Sequence, residues 1–208
     1  MVGNKLEQSI VAVFQDDLSS TFSINQVSKI LKKSYPIINK KSNNLLEEGI
    51  LRKINVGRSY QCSLNMSNEK ARILVALNEI DKKNSFIQKN KHLVNVTDEI
   101  IQLSKKFNIS TVILNKNNLL FVLDNLGDKK DILEITTLTR DYILSFYDLD
   151  SFRQKFLSDH DLRKYHFVLY NTDIYANIVA SPYDELIVKN IFGKDKKKTD
   201  SKEENKEK

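Results

Sequence analysis

The sequence predicts an α+β protein, with helices gathered first and most strands later. Three observations carry this. Up to about Asn108, apolar residues recur at three- and four-residue spacing, interrupted by two short extended runs at 50–54 and 59–64. From Ser110 the period changes to compact apolar runs, such as Thr111-Val112-Ile113-Leu114 and Leu119-Leu120-Phe121-Val122-Leu123, divided by turn residues. From Lys194 onward no large apolar residue occurs and lysine alternates with acid, so 194–208 is expected to be a disordered tail.

Composition sets the class. With 208 residues, 40% hydrophobic and 29% charged, the chain suits one large or two small soluble domains. It lacks the run of about 18 apolar residues that a membrane-spanning helix needs, and no apolar signal-peptide core follows its first lysine. Its one cysteine, Cys62, cannot form an internal disulfide and belongs to no metal-ligand pattern. Cytoplasmic residence without membrane association is the expectation.

The first helix spans Asn4 to Gln15, with Leu6, Ile10, Val13 and Phe14 on one face. Asp16 to Thr21 is a polar connector, and Phe22 is expected to act as a staple or short strand. Ser23 followed by Gln26 is a capping-box spacing that opens a second helix carrying Ile24, Val27, Ile30 and Leu31. Ser34 starts a third, where Pro36 is tolerated in the first turn and Gly49 stops the helix after Glu48. Ile50–Ile54 and Ser59–Leu64 then form a hairpin around Asn55-Val56-Gly57-Arg58, whose glycine suits a positive-φ turn position. Helix, turn, helix, hairpin is the order of a winged helix.

Charge singles out the same stretch. From Lys29 to Tyr60 the chain has eight basic residues against Glu47 and Glu48, giving 8 − 2 = +6, while the remainder balances at 25 − 25 = 0. The whole excess therefore sits on one unit, the footprint that phosphate contact requires. The competing reading is that these lysines only solvate a small helical surface.

Leu45-Leu46-Glu47-Glu48-Gly49-Ile50-Leu51-Arg52 resembles the junction that ends the recognition helix in winged-helix regulators of the MarR and ArsR groups. The likeness covers roughly the first third of the chain and implies sequence-specific binding of double-stranded DNA. Ile38 and Leu45, with Ser42 between them, are expected to face inward; at about 100° per residue Pro36, Asn39, Lys40 and Asn43 fall opposite. Those four, with Tyr35 at the entry, are the groove-facing candidates, since asparagine pairs with adenine and lysine reaches guanine or phosphate. Lys53 and Arg58 extend the set to the hairpin, whose basic tip suits a minor groove or phosphate.

Two further helices are expected in the middle of the chain. Ser67 to about Asn84 is helical, with Ile73, Leu77 and Ile80 marking one face broadened by Leu74 and Ala71, and Thr97 begins another helix with Ile100, Ile101 and Leu103. These stripes are expected either to pair two copies into a homodimer or only to connect two domains. Beyond them the strands are 111–114, 119–123, 131–136 and 166–170, with helices at 139–146, 151–157, from Thr172 or Asp173 onward, and from Tyr183 to Phe192.

In element order this second half resembles the minimal nucleotidyltransferase domains that follow winged helices in archaeal proteins, with Phe167-Val168-Leu169-Tyr170-Asn171-Thr172-Asp173-Ile174-Tyr175 as the late strand-to-helix step. The family's Gly-Ser loop is missing, however: Asn115-Lys116-Asn117-Asn118 stands there, and the two metal-binding carboxylates would fall near Lys116 and Asn118. A lysine and an amide cannot hold a divalent metal against a triphosphate. The resemblance therefore implies a scaffold without the chemistry, and Asp124 reads as a turn residue. Among His92, His160 and His166, only Asp159-His160-Asp161 looks metal-like, and it reads as a solvated loop. No catalytic residue, metal or cofactor is expected.

The expected organisation is a winged-helix DNA-binding domain at 1–66, a helical connector at 67–97, an inactive α/β domain resembling a degenerate nucleotidyltransferase at 98–193, and the tail. The expected function is a DNA-binding transcriptional regulator with a noncatalytic sensing or interaction domain and an unknown effector. The alternative is a nucleotide-binding, nucleotidyltransferase or antitoxin-like protein positioned by its winged helix.

Overall fold

The computed structural model describes residues 5–15, 20–56 and 59–183; Arg58 and the expected helix beyond Tyr183 lie outside them, as does the tail. The chain is a mixed α+β protein. Helices α1 (Lys5–Gln15), α2 (Ile24–Ile30) and α3 (Tyr35–Glu47) lead into an antiparallel hairpin of β1 (Leu51–Val56) and β2 (Ser59–Leu64). The Ser23–Gln26 capping box forms as the spacing requires. Gly49 adopts φ +70°, closing α3 as a residue without Cβ can at little cost. Phe22 makes an isolated antiparallel bridge to β2, exchanging backbone hydrogen bonds with Cys62 in both directions (3.1 and 2.7 Å).

Two long helices follow, α4 (Glu69–Lys89) and α5 (Leu93–Ser104), then β3 (Ile109–Asn115) and β4 (Asn118–Leu123). Next come α6 (Lys129–Ile135), β5 (Ile143–Tyr147), α7 (Leu149–Ser158), α8 (His160–Lys164) and β6 (Phe167–Tyr170). Residues 172–183 are helical and are called α9. The four-stranded sheet has the order β5-β4-β3-β6, with β3 antiparallel to both neighbours and β4 parallel to β5, so β4, β5 and β6 all point one way.

Period-two alternation divides the sheet residues between two cores. Ile113, Leu120, Val122 and Val168 face α7 and α9, in a cluster continuous with Phe14, Val27, Ile38 and Leu45 of the N-terminal helices. Val112, Leu114, Phe121 and Leu169 face α5 and Ile132 of α6. Helix α4 joins the two halves, packing on α1 and on β6. Its Ala71, Leu74 and Val75 are in the first cluster, and Phe86 stacks on Phe167. Further along, the Leu64 N–H donates to the Tyr183 hydroxyl at 3.1 Å.

Several sequence expectations are corrected. Of the stretch 131–136, residues 131–135 are helical, not extended, because β4 pairs parallel with β5 and a parallel pair needs a crossover. Residues 139–146 are a short turn of 3₁₀ helix followed by β5, where aromatic and β-branched residues meet β4. The inward face of α4 is the one carrying Ala71, Leu74, Val75 and Glu79; Ile73 on the opposite side is 51% exposed. Asn68, not Ser67, caps that helix. Helix α5 starts at Leu93 rather than Thr97, and Ile30 of α2 is exposed. Among the described residues no helix is long and apolar enough to cross a membrane.

Candidate nucleic-acid interface

Helix α3 is anchored by Ile38, Ser42 and Leu45, all buried as their spacing predicts. Lys41 is drawn to one flank, where its Nζ meets Glu7 of α1 at 2.5 Å. The exposed stripe consists of Pro36, Ile37, Lys40, Asn44 and Glu47, with Tyr35 exposed at the entry. Asn39 and Asn43 are only half-exposed. Relative to the candidate set, the open face is thus rotated by about 60° at 100° per residue. It brings forward Ile37 and Asn44, which sequence reasoning passed over. No periodicity signal marks Ile37, since an apolar residue on an amphipathic helix reads as core.

Charge along α3 is polar in direction. Lys29, Lys32, Lys33 and Lys40 are exposed around its N-terminal half, whereas Glu47 and Glu48 sit at its end, where Glu48 holds Lys70 at 3.2 Å. Lys32 adopts φ +51° in the turn between α2 and α3. On the hairpin, Lys53 is exposed and stands 4.9 Å from the ring centre of Tyr60. Val56 pairs with Ser59, and the candidate Arg58 lies outside the described residues. Cys62 of β2, opposite Lys53 in the hairpin register, is buried, and burial outweighs the pull of Lys53 to push its thiol up to about 11, so it stays protonated.

The second half presents no acidic pair at the β3–β4 turn. Asn115 pairs with Asn118 across a two-residue connection in which Lys116 adopts φ +57°. Neither strand contains a carboxylate, and Lys116 Nζ is engaged by Asp161 at 2.7 Å. The Asp159-His160-Asp161 stretch is a helix start rather than a loop: Asp159 caps α8 by accepting the Leu162 N–H at 2.9 Å. Among the described residues no group of His, Cys, Asp and Glu side chains could hold a metal ion.

His166 is buried between the halves. The Tyr175 hydroxyl lies 2.7 Å from its Nε2, and Glu79 Oε1, which accepts from Gln15 Nε2 at 2.6 Å, stands 3.6 Å away. Burial, opposed by Glu79, lowers the imidazole to about 4, so it is neutral near pH 7. The Tyr175 contact ties the residue preceding β6 to α9, while Nδ1 is buried without a hydrogen-bond partner. Comparison with protein-family models, with curated proteins and with solved structures returned no match.

Proposed function

We propose that this chain is a cytoplasmic transcriptional regulator that reads double-stranded DNA through a winged helix formed by α1 to β2. The observation that carries the proposal is the exposed lysine set around the N-terminal half of α3, continued by Lys53 on the hairpin, with the acids held at the far end. That polarity favours entry of the N-terminal end of α3 into the major groove, the usual docking of a recognition helix. Lys40 and Asn44 then meet base edges or phosphate, Ile37 meets thymine methyl groups, and the hairpin tip with Arg58 reaches the backbone or the adjacent minor groove.

The α/β half is read as noncatalytic, a sensing or interaction unit on a degenerate nucleotidyltransferase-like scaffold; the acid-free β3–β4 hairpin supports this. A homodimer, with exposed Ile73 of α4 at its interface, is part of the proposal. Selection from a random duplex library is expected to yield a consensus, two-fold symmetric if the protein binds as a dimer. Recovery of no enriched site, or enrichment unchanged in a Lys40→Ala, Lys53→Ala double variant, would reject the reading.

A further inference from the structure

The connection after β4 runs through α6 on one face of the sheet, while β6 continues into α9 on the other. Neighbouring parallel strands whose following helices leave to opposite faces open a crevice at their carboxyl ends, the place where open α/β sheets bind ligands; β4 and β6 share that direction and divergence without being neighbours. Here β3, antiparallel, lies between β4 and β6, and its first residues floor the gap. A cavity of about 530 Å³ occupies that position, a size suited to a small organic molecule.

Irregular backbone gathers around it. The β3–β4 register shifts between Ile109 and Thr111, which leaves Ser110 as a bulge. The Ser110 hydroxyl donates to Oδ1 of the exposed Asp124 and so orients that carboxylate. Asn171, the first residue past β6, adopts φ +53°. The lining is mixed: Phe107, Leu149, Ile174 and Ile178 give it an apolar wall.

Its charge is decisive. Of all the lining residues only Arg153 and Asp124 are ionic, one of each sign. Arg153 Nη1 meets Asp150 at 2.9 Å, but Asp150 is 90% exposed, and such surface pairs hold weakly. Arg153 Nε is shielded from solvent and makes no hydrogen bond, while the rest of the guanidinium is partly exposed and donates only to Asp150, through Nη1, which leaves N–H donors for a ligand. A nucleoside triphosphate would bring several negative charges against a single cation. A zwitterion matches one cation and one anion and leaves nothing unbalanced.

We propose that the crevice between the carboxyl ends of β4 and β6 binds a free α-amino acid with an apolar side chain, its carboxylate on Arg153, its ammonium on Asp124 and its side chain against Ile174 and Ile178. This deepens the sensing role and rests on it for its regulatory meaning. Binding is tested without DNA, so failure here and failure of DNA binding are read separately.

The test is thermal unfolding of the full chain with each of the apolar L-amino acids at ~10 mM, then calorimetric titration of the best one. At least one is expected to raise the melting temperature. Its α-keto acid, which lacks the ammonium, and its decarboxylated amine are each expected to bind at least about 10-fold more weakly, as loss of a charge-assisted contact implies. Arg153→Ala and Asp124→Asn should weaken binding similarly; the analogue comparison on the unaltered chain decides the matter if either variant does not fold. The proposal is overturned if no amino acid shifts the transition, if the keto acid or amine binds as well as the amino acid, or if folded variants bind normally.

Discussion

Two buried residues set the energetics at the smallest scale. Leu45 is fully enclosed under α3. Its replacement by alanine leaves a cavity and is expected to cost roughly 2–5 kcal/mol; chemical denaturation giving a loss below about 0.5 kcal/mol would mean that α3 is not seated through this side chain. His166 gives the protein a pH dependence. Its imidazole, ordinarily near 6.5, is lowered to about 4 in the folded chain. Between those values the unfolded state binds the extra proton and the folded state does not. Stability therefore falls as pH drops from about 6.5 toward 4, by up to about 3 kcal/mol at roughly 1.4 kcal/mol per pH unit. Denaturation curves at pH 7 and pH 4.5 are expected to show this loss in the natural chain and a smaller one in a His166→Asn variant. Equal losses would place the acid sensitivity elsewhere.

At the scale of the element, α3 carries a prediction about phase. Lys40→Ala and Asn44→Ala are expected to weaken DNA binding more than Asn39→Ala, because the first two lie on the open stripe and the third is half-covered. The reverse order, measured by fluorescence anisotropy, would restore the face set by helical geometry alone. That helix was largely legible in the sequence: Ser34, Pro36, the Ile38–Ser42–Leu45 face and Gly49 all agree with one another. Helix α4 was legible as a helix but not in its orientation. Its inward side carries Ala71, Ala76 and the acid Glu79, while the more apolar Ile73, Leu77 and Ile80 lie outward or at the margin. Hydrophobicity alone selects the wrong side when a buried carboxylate is held through one oxygen by a partner such as Gln15, 64 residues away. The exchange of helix for strand at α6 and β5 has the same origin. Which short apolar segment becomes extended is settled by pairing with β4, a contact that local sequence does not contain. The crevice was illegible for a related reason, since Ser110, Asp124, Arg153 and Asn171 come from four separate elements.

Across the whole molecule, α4 makes the two halves interdependent. It contributes to a core shared by α1, α3 and the sheet, and Leu64 is tied to Tyr183. A single cooperative transition is expected, with calorimetric and van't Hoff enthalpies in agreement. Two separated transitions would show that the N-terminal helices and the sheet unfold independently. The shared core also offers a physical route by which occupancy of the crevice bears on the DNA-facing helices, through α9 and α4, whose packing both regions share.

The central claim, that the basic surface of α3 and the hairpin binds duplex DNA through phosphate contacts, is tested most directly by the salt dependence of the equilibrium constant. Between 50 and 200 mM salt, binding to duplex DNA is expected to weaken by at least ~10-fold, as counterion release requires when several phosphates are neutralised. The slope should fall by about one for each phosphate contact removed when Lys40 or Lys53 is replaced by alanine. Affinity that stays flat across that range, or no measurable binding at the lower salt, would contradict the account.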